Sequence, residues 1–89
     1  MTVNPQPDQV RQVVVRIFAE LGVEVRDLFD LHEALLVDEG RYVARSYRAH
    51  GLMAMWLINV GIVQFYDAEG DMLRTVNLLK ELEPQRLAA

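Results

Sequence analysis

Glycine-bearing turn signals cut the second half of this chain into short pieces, and that punctuation limits the fold more than any other feature. Asp38-Glu39-Gly40-Arg41, His50-Gly51, Val60-Gly61 and Asp67-Ala68-Glu69-Gly70-Asp71 recur about every ten residues, the rhythm of consecutive hairpins. Between them lie runs of Val, Ile, Leu, Tyr, Phe, Trp and Met, which suit a pleated, half-buried surface. Strands are predicted near 32–38, 41–49, 52–59, 62–67 and 71–77.

Upstream the period is helical. Val10, Val13, Val14, Ile17, Phe18 and Leu21 follow an i, i+3, i+4, i+7 stripe, with Arg11, Gln12, Arg16 and Glu20 on the other side. Asn4 before Pro5 offers a side-chain acceptor followed by a residue that needs no backbone partner, so the helix is expected over 5–21. Gly22 is placed to end it. Leu78, Leu79 and Leu82 predict a short closing helix over about 78–83, stopped by Pro84 ahead of a frayed tail at 84–89. With 89 residues the chain is expected to form one domain around one modest core. The economical architecture is α+β: a two-layer sandwich with the N-terminal helix on a four- to five-stranded antiparallel β-meander.

Two-residue loops at Glu39-Gly40, His50-Gly51 and Val60-Gly61, and a three-residue loop at Ala68 to Gly70, divide the strand side chains into two sets. One holds Leu35, Val37, Tyr42, Ala44, Ser46, Arg48, Met53, Met55, Leu57, Ile62, Gln64, Tyr66, Met72, Arg74 and Val76. The other holds His32, Ala34, Leu36, Val43, Arg45, Tyr47, Ala54, Trp56, Ile58, Val63, Phe65, Leu73, Thr75 and Asn77. A longer first loop would flip the opening strand, and the helix could cover either set. Neither set is polar: Met53-Ala54-Met55-Trp56-Leu57-Ile58 is apolar at every position, whereas a half-solvated sheet should alternate. One helix covers one face. The other needs a second cover, either a folded-back tail or a partner, and a homodimer or other permanent protein partner is the expected answer. Met53, Met55, Leu57, Tyr66 and Met72 would supply its contacts, with Gln64, Arg74 and Arg48 as the polar component.

Other chemistries leave weaker traces. Arg45, Tyr47, Trp56 and Phe65, with His32, could form an arginine–aromatic platform for single-stranded nucleic acid. A net charge of −4 and a single lysine, Lys80, weigh against it. Residues 20–39 hold Glu20, Glu24, Asp27, Asp30, Glu33, Asp38 and Glu39 against one base, while 40–66 hold Arg41, Arg45 and Arg48 and no acid. Cross-strand pairing of Glu33 and Asp38 with the arginine strand is the expected use of that asymmetry. Metal binding would rest on His32, His50, Asp27, Asp30 and Glu33, which lack a ligand-spaced pair. Without cysteine, thiolate chemistry is excluded. Ser46, the only serine, sits in no nucleophile-elbow pattern, and the scattered glycines form no phosphate loop. No catalytic constellation, metal or cofactor is expected. Met53, Met55 and Met72 could instead line space for a small apolar ligand. The sequence has neither a spanning apolar run nor a signal-like start, so the cytoplasm is the expected location, by elimination.

The stretch Phe65-Tyr66-Asp67-Ala68-Glu69-Gly70-Asp71-Met72-Leu73-Arg74 resembles the tyrosine-aspartate unit of YD-repeat shells. The resemblance spans ten residues, does not recur along the chain, and implies a hairpin with aspartate opening the turn and glycine closing it. It implies no activity.

Overall fold

The computed structural model describes residues 5–24, 26 and 31–82. An N-terminal helix, α1 (Pro7–Glu20), leads into strands β1 (His32–Asp38), β2 (Arg41–Ala49), β3 (Leu52–Leu57), β4 (Ile62–Tyr66) and β5 (Met72–Asn77), followed by a short helix, α2 (Leu78–Glu81). The strands form an antiparallel five-stranded sheet in the order β1-β2-β3-β4-β5. The α+β layout, with an amphipathic helix against a meander, is the one that the sequence pattern predicts.

The helix starts two residues later than expected. Pro7 disfavours helical backbone at the residue before it, so Gln6 stays extended at φ −90°, ψ 148° and becomes the N-cap. Its backbone N–H donates to Gln9 Oε1 at 3.0 Å. Asn4, the expected cap, lies outside the described residues. Val10, Val13, Val14, Ile17 and Phe18 of the predicted stripe are all buried. They pack on Tyr47, Ala49, Ala54, Trp56, Val63, Phe65, Val76 and Leu78. Phe18 meets Phe65 edge-on, with ring centroids 5.6 Å apart and planes at 83°. Full burial of each such side chain is worth about 1.5–3 kcal/mol, well above the 0–1 kcal/mol or so of a surface ion pair. Apolar docking therefore holds the layers together.

Cross-strand partners fix the faces. Arg45, Tyr47, Ala54, Trp56, Val63 and Phe65 look toward α1, while Ala44, Ser46, Arg48, Met53, Met55, Leu57, Ile62, Gln64 and Tyr66 look away. The three inner strands thus keep the expected division. The Val60-Gly61 loop is longer than expected, because β3 ends at Leu57, whose carbonyl accepts from both Val60 and Gly61 N–H. That moves the β3–β4 register by two residues and leaves every side chain on its expected face.

The edge strands differ. Val43 is bulged out between the Val37–Tyr42 and Leu36–Ala44 pairs, and Leu73 between Tyr66–Met72 and Phe65–Arg74. Each extra residue reverses the strand beyond it. Glu33 and Leu35 consequently join the α1 face, with His32, Ala34 and Leu36 on the open face. Arg74 and Val76 likewise turn toward α1, and Thr75 and Asn77 turn away. α2 runs shorter than the expected 78–83. Asn77 Oδ1 caps it by accepting from Leu79 N–H at 2.9 Å, and buried Leu78 donates its N–H to Gly61 O at 2.9 Å. The expected stop at Pro84 and the tail at 84–89 lie outside the described residues.

Both two-residue turns place a non-glycine residue in left-handed backbone: Glu39 at φ 50° before Gly40 at 78°, and His50 at 49° before Gly51 at 82°. This is the type I′ pattern, in which Asn is favoured at the first position. Replacing exposed Glu39 by Asn should therefore raise stability by about 0.5–1 kcal/mol, read as a higher urea midpoint at unchanged slope. A lower midpoint would contradict this turn geometry.

Candidate functional site

On the face away from α1, cross-strand partners line up in three rows. His32, Arg48, Met53, Tyr66 and Met72 make the first, at the end carrying the β2–β3 and β4–β5 turns. Ala34, Ser46, Met55, Gln64 and Thr75 make the second, and Leu36, Ala44, Leu57, Ile62 and Asn77 the third. Seven of the eight residues singled out as an interface, Arg48, Met53, Met55, Leu57, Gln64, Tyr66 and Met72, share this face. Met53, Met55, Leu57, Gln64 and Tyr66 are half-buried by their neighbours, and Met72 is 55% exposed. No helix among the described residues covers them. The Tyr66 hydroxyl donates to Gln64 Oε1 at 2.8 Å, so two of the polar groups on the face already satisfy one another.

Arg74 does not belong with them. The bulge at Leu73 turns it to the opposite face, where its Nη1 donates to Glu20 Oε1 of α1 at 2.7 Å. Glu20 also pairs with Arg16 at 3.7 Å, and Arg16 reaches Glu81 of α2. This chain of charges runs along the seam between α1, β5 and α2.

The arginine–aromatic set is core rather than platform. Tyr47 and Phe65 are fully buried and Trp56 is 5% exposed, all beneath α1, so no ring face is open for a base to stack on. The Arg45 guanidinium is held by Glu33 Oε2, with Nη2 at 2.9 Å and Nε at 3.2 Å, and Arg11 Nε of α1 takes Glu33 Oε1 at 2.6 Å. Glu33 thus performs the expected strand pairing with Arg45 and ties α1 to the sheet as well. It is occupied by two guanidiniums and faces away from His32, its neighbour in the chain, which separates two of the residues a metal would need. Asp27 and Asp30 lie outside the described residues. The carboxylates of Asp67, Glu69 and Asp71 approach within 4.8 Å of one another. Their arrangement is accounted for by the turn: Asp67 Oδ1 accepts from the N–H groups of Glu69 and Asp71, each at 2.9 Å.

A cleft of about 780 Å³ opens at the turn end of the open face, lined by His32, Arg48, Met53, Tyr66, His50, Leu52 and Asp67 among others. The β2–β3 and β4–β5 turns meet beside it: a Cβ added at Gly51 would lie 3.8 Å from that of Ala68. In the sequence these residues lie on separate strands and turns, and no motif joins them. One signal was available, since alternate turns of a meander share one end of the sheet. Comparison with protein-family models, curated proteins and solved structures finds no match to this chain.

The Tyr47 hydroxyl and Trp56 Nε1 are buried without a hydrogen-bond partner. Burial pushes the Tyr47 phenol up to about 12; the neighbouring Arg45 opposes the shift, Glu33 adds to it and Arg11 opposes it. Because an unpaired buried hydroxyl carries a desolvation cost, Tyr47→Phe should be neutral or stabilising by up to about 1 kcal/mol at pH 7. The unfolded phenol ionises near pH 10. Between pH 10 and 12 the unfolded state therefore binds fewer protons, and stability falls as pH rises through that window. Urea midpoints at pH 8 and about pH 11 should show a steeper alkaline loss in the wild type than in Tyr47→Phe. Equal losses would remove Tyr47 as the cause.

Proposed function

We propose that this protein is a homodimeric interaction module that acts through contact rather than catalysis, with the open sheet face as its dimer interface. The observation that carries this reading is the distribution of charge. The second and third rows of the open face contain no ionisable side chain, while the ion pairs of Arg11, Arg45, Arg74 and Arg16 all lie on the α1 side or its rim. A two-fold axis brings related parts of one patch together, so charges near the axis face their own kind. Rows free of charge avoid that repulsion.

The chemistry of the face suits burial. Met55, Leu57, Ile62 and Leu36 offer apolar contact, Leu36 being 44% exposed, and methionine adapts to an opposing surface. The internal Tyr66–Gln64 hydrogen bond lowers the cost of removing water. Two sheets packed face to face about 10 Å apart would turn two two-layer chains into one four-layer stack, helix-sheet-sheet-helix. Met53, Tyr66 and Met72 would flank the contact. No helix among the described residues is long and apolar enough to cross a membrane, and the location proposed is the cytoplasm.

Light scattering behind size exclusion, over a concentration series, tests this directly. The expected mass is twice the 10.2 kDa of the chain. Met55→Asp and Leu57→Asp should dissociate or unfold the dimer, and Gln12→Asp on the exposed side of α1 should leave it intact. A wild-type monomer at all concentrations, or a dimer that survives both aspartates, would overturn the proposal.

A further inference from the structure

We propose that the turn-end cleft is a binding site for a small carboxylate carried on an apolar body of about one ring. Its volume of about 780 Å³ falls in the range of small-molecule sites, roughly 300–1,000 Å³. Its walls divide chemically. His32 and Arg48 are cross-strand partners, which sets an imidazole beside a guanidinium in one row. Met53 and Tyr66 supply the apolar side.

Arg48 is the group that selects the ligand. Arg11, Arg16, Arg26, Arg45 and Arg74 each hold a carboxylate of this chain. Arg48 and Arg41 hold none among the described residues, and of these two only Arg48 lines the cleft. A guanidinium presents parallel donors that match a carboxylate in two-point fashion. The acid that does line the cleft, Asp67, spends Oδ1 on two backbone N–H groups of its own turn, which offsets part of its repulsion toward an anion. A carboxylate at Arg48 would leave the attached ring over Met53 and Tyr66, the next residues along the same row.

The inference stands apart from the dimer, although both readings use Met53 and Tyr66. The cleft lies at the opposite end of the face from Leu36, Leu57 and Ile62. Titrating benzoate into 15N-labelled protein, followed by amide chemical shifts, tests it at whatever mass the protein has. Shifts are expected at His32, Arg48, Gly51, Met53 and Tyr66, saturating by about 10 mM, a weak but ordinary affinity for so small a ligand. Benzamide and inorganic phosphate should each bind at least tenfold more weakly, since one lacks the charge and the other the apolar body. Arg48→Gln should lose at least tenfold in affinity while keeping the wild-type spectrum elsewhere, and Arg41→Gln should bind as wild type. Absence of shifts, equal response to benzamide or phosphate, or full binding by folded Arg48→Gln would each overturn the assignment.

Discussion

Everything else in this protein depends on the seating of α1 across Tyr47, Ala54, Trp56, Val63 and Phe65. The helix contributes Val10, Val13, Val14, Ile17 and Phe18 to a cluster in which most members are nearly or wholly removed from water. The same contact decides the electrostatics. Once Phe18 lies against Phe65, Arg11 stands over Glu33 and Glu20 over Arg74, so the ion pairs form around the rim of an apolar seat. They orient the helix and add little to its stability, because they are largely exposed and screened. Burial also leaves the Tyr47 hydroxyl and Trp56 Nε1 without partners, a cost that the large apolar area of both rings outweighs.

One helix cannot cover two faces, and the sheet has apolar residues on both. The consequence is an asymmetric slab: one side sealed and rimmed with charge, the other open, graded from His32 and Arg48 at the turn end to Leu36, Leu57 and Ile62 at the far end. β1 extends the exposure, since Leu35, Leu36 and Val37 all remain accessible. The proposed dimer and the proposed carboxylate site are readings of the two ends of that gradient.

The inner strands were legible because their side-chain period is two and their turns preserve it. Even the mistaken length of the Val60-Gly61 loop did no harm, since it moved the pairing by an even number of residues. The edge strands were not legible. A bulge needs one residue to be bypassed, and neither Val43 nor Leu73 differs in kind from the residues around it, so nothing local announced the event. Unbroken alternation therefore puts Arg74 on the open face, whereas the bulge turns it to Glu20. The aromatic set of Arg45, Tyr47, Trp56 and Phe65 shows a different limit: rings beside a guanidinium read alike whether they are roofed by a helix or open to solvent.

By itself the sequence determined the elements and their order. Helical periodicity, glycine-bearing turns and the run Met53 to Ile58 suffice for a helix, a meander and two apolar faces, because those features are set by neighbours a few residues apart. Tertiary structure alone decided which face the helix takes, which way the edge strands turn, and that His32, Arg48, Met53, Tyr66 and two turns meet in one cleft. Those outcomes depend on strand register, and register is settled by packing across the sheet, where residues far apart in the chain compete for the same space.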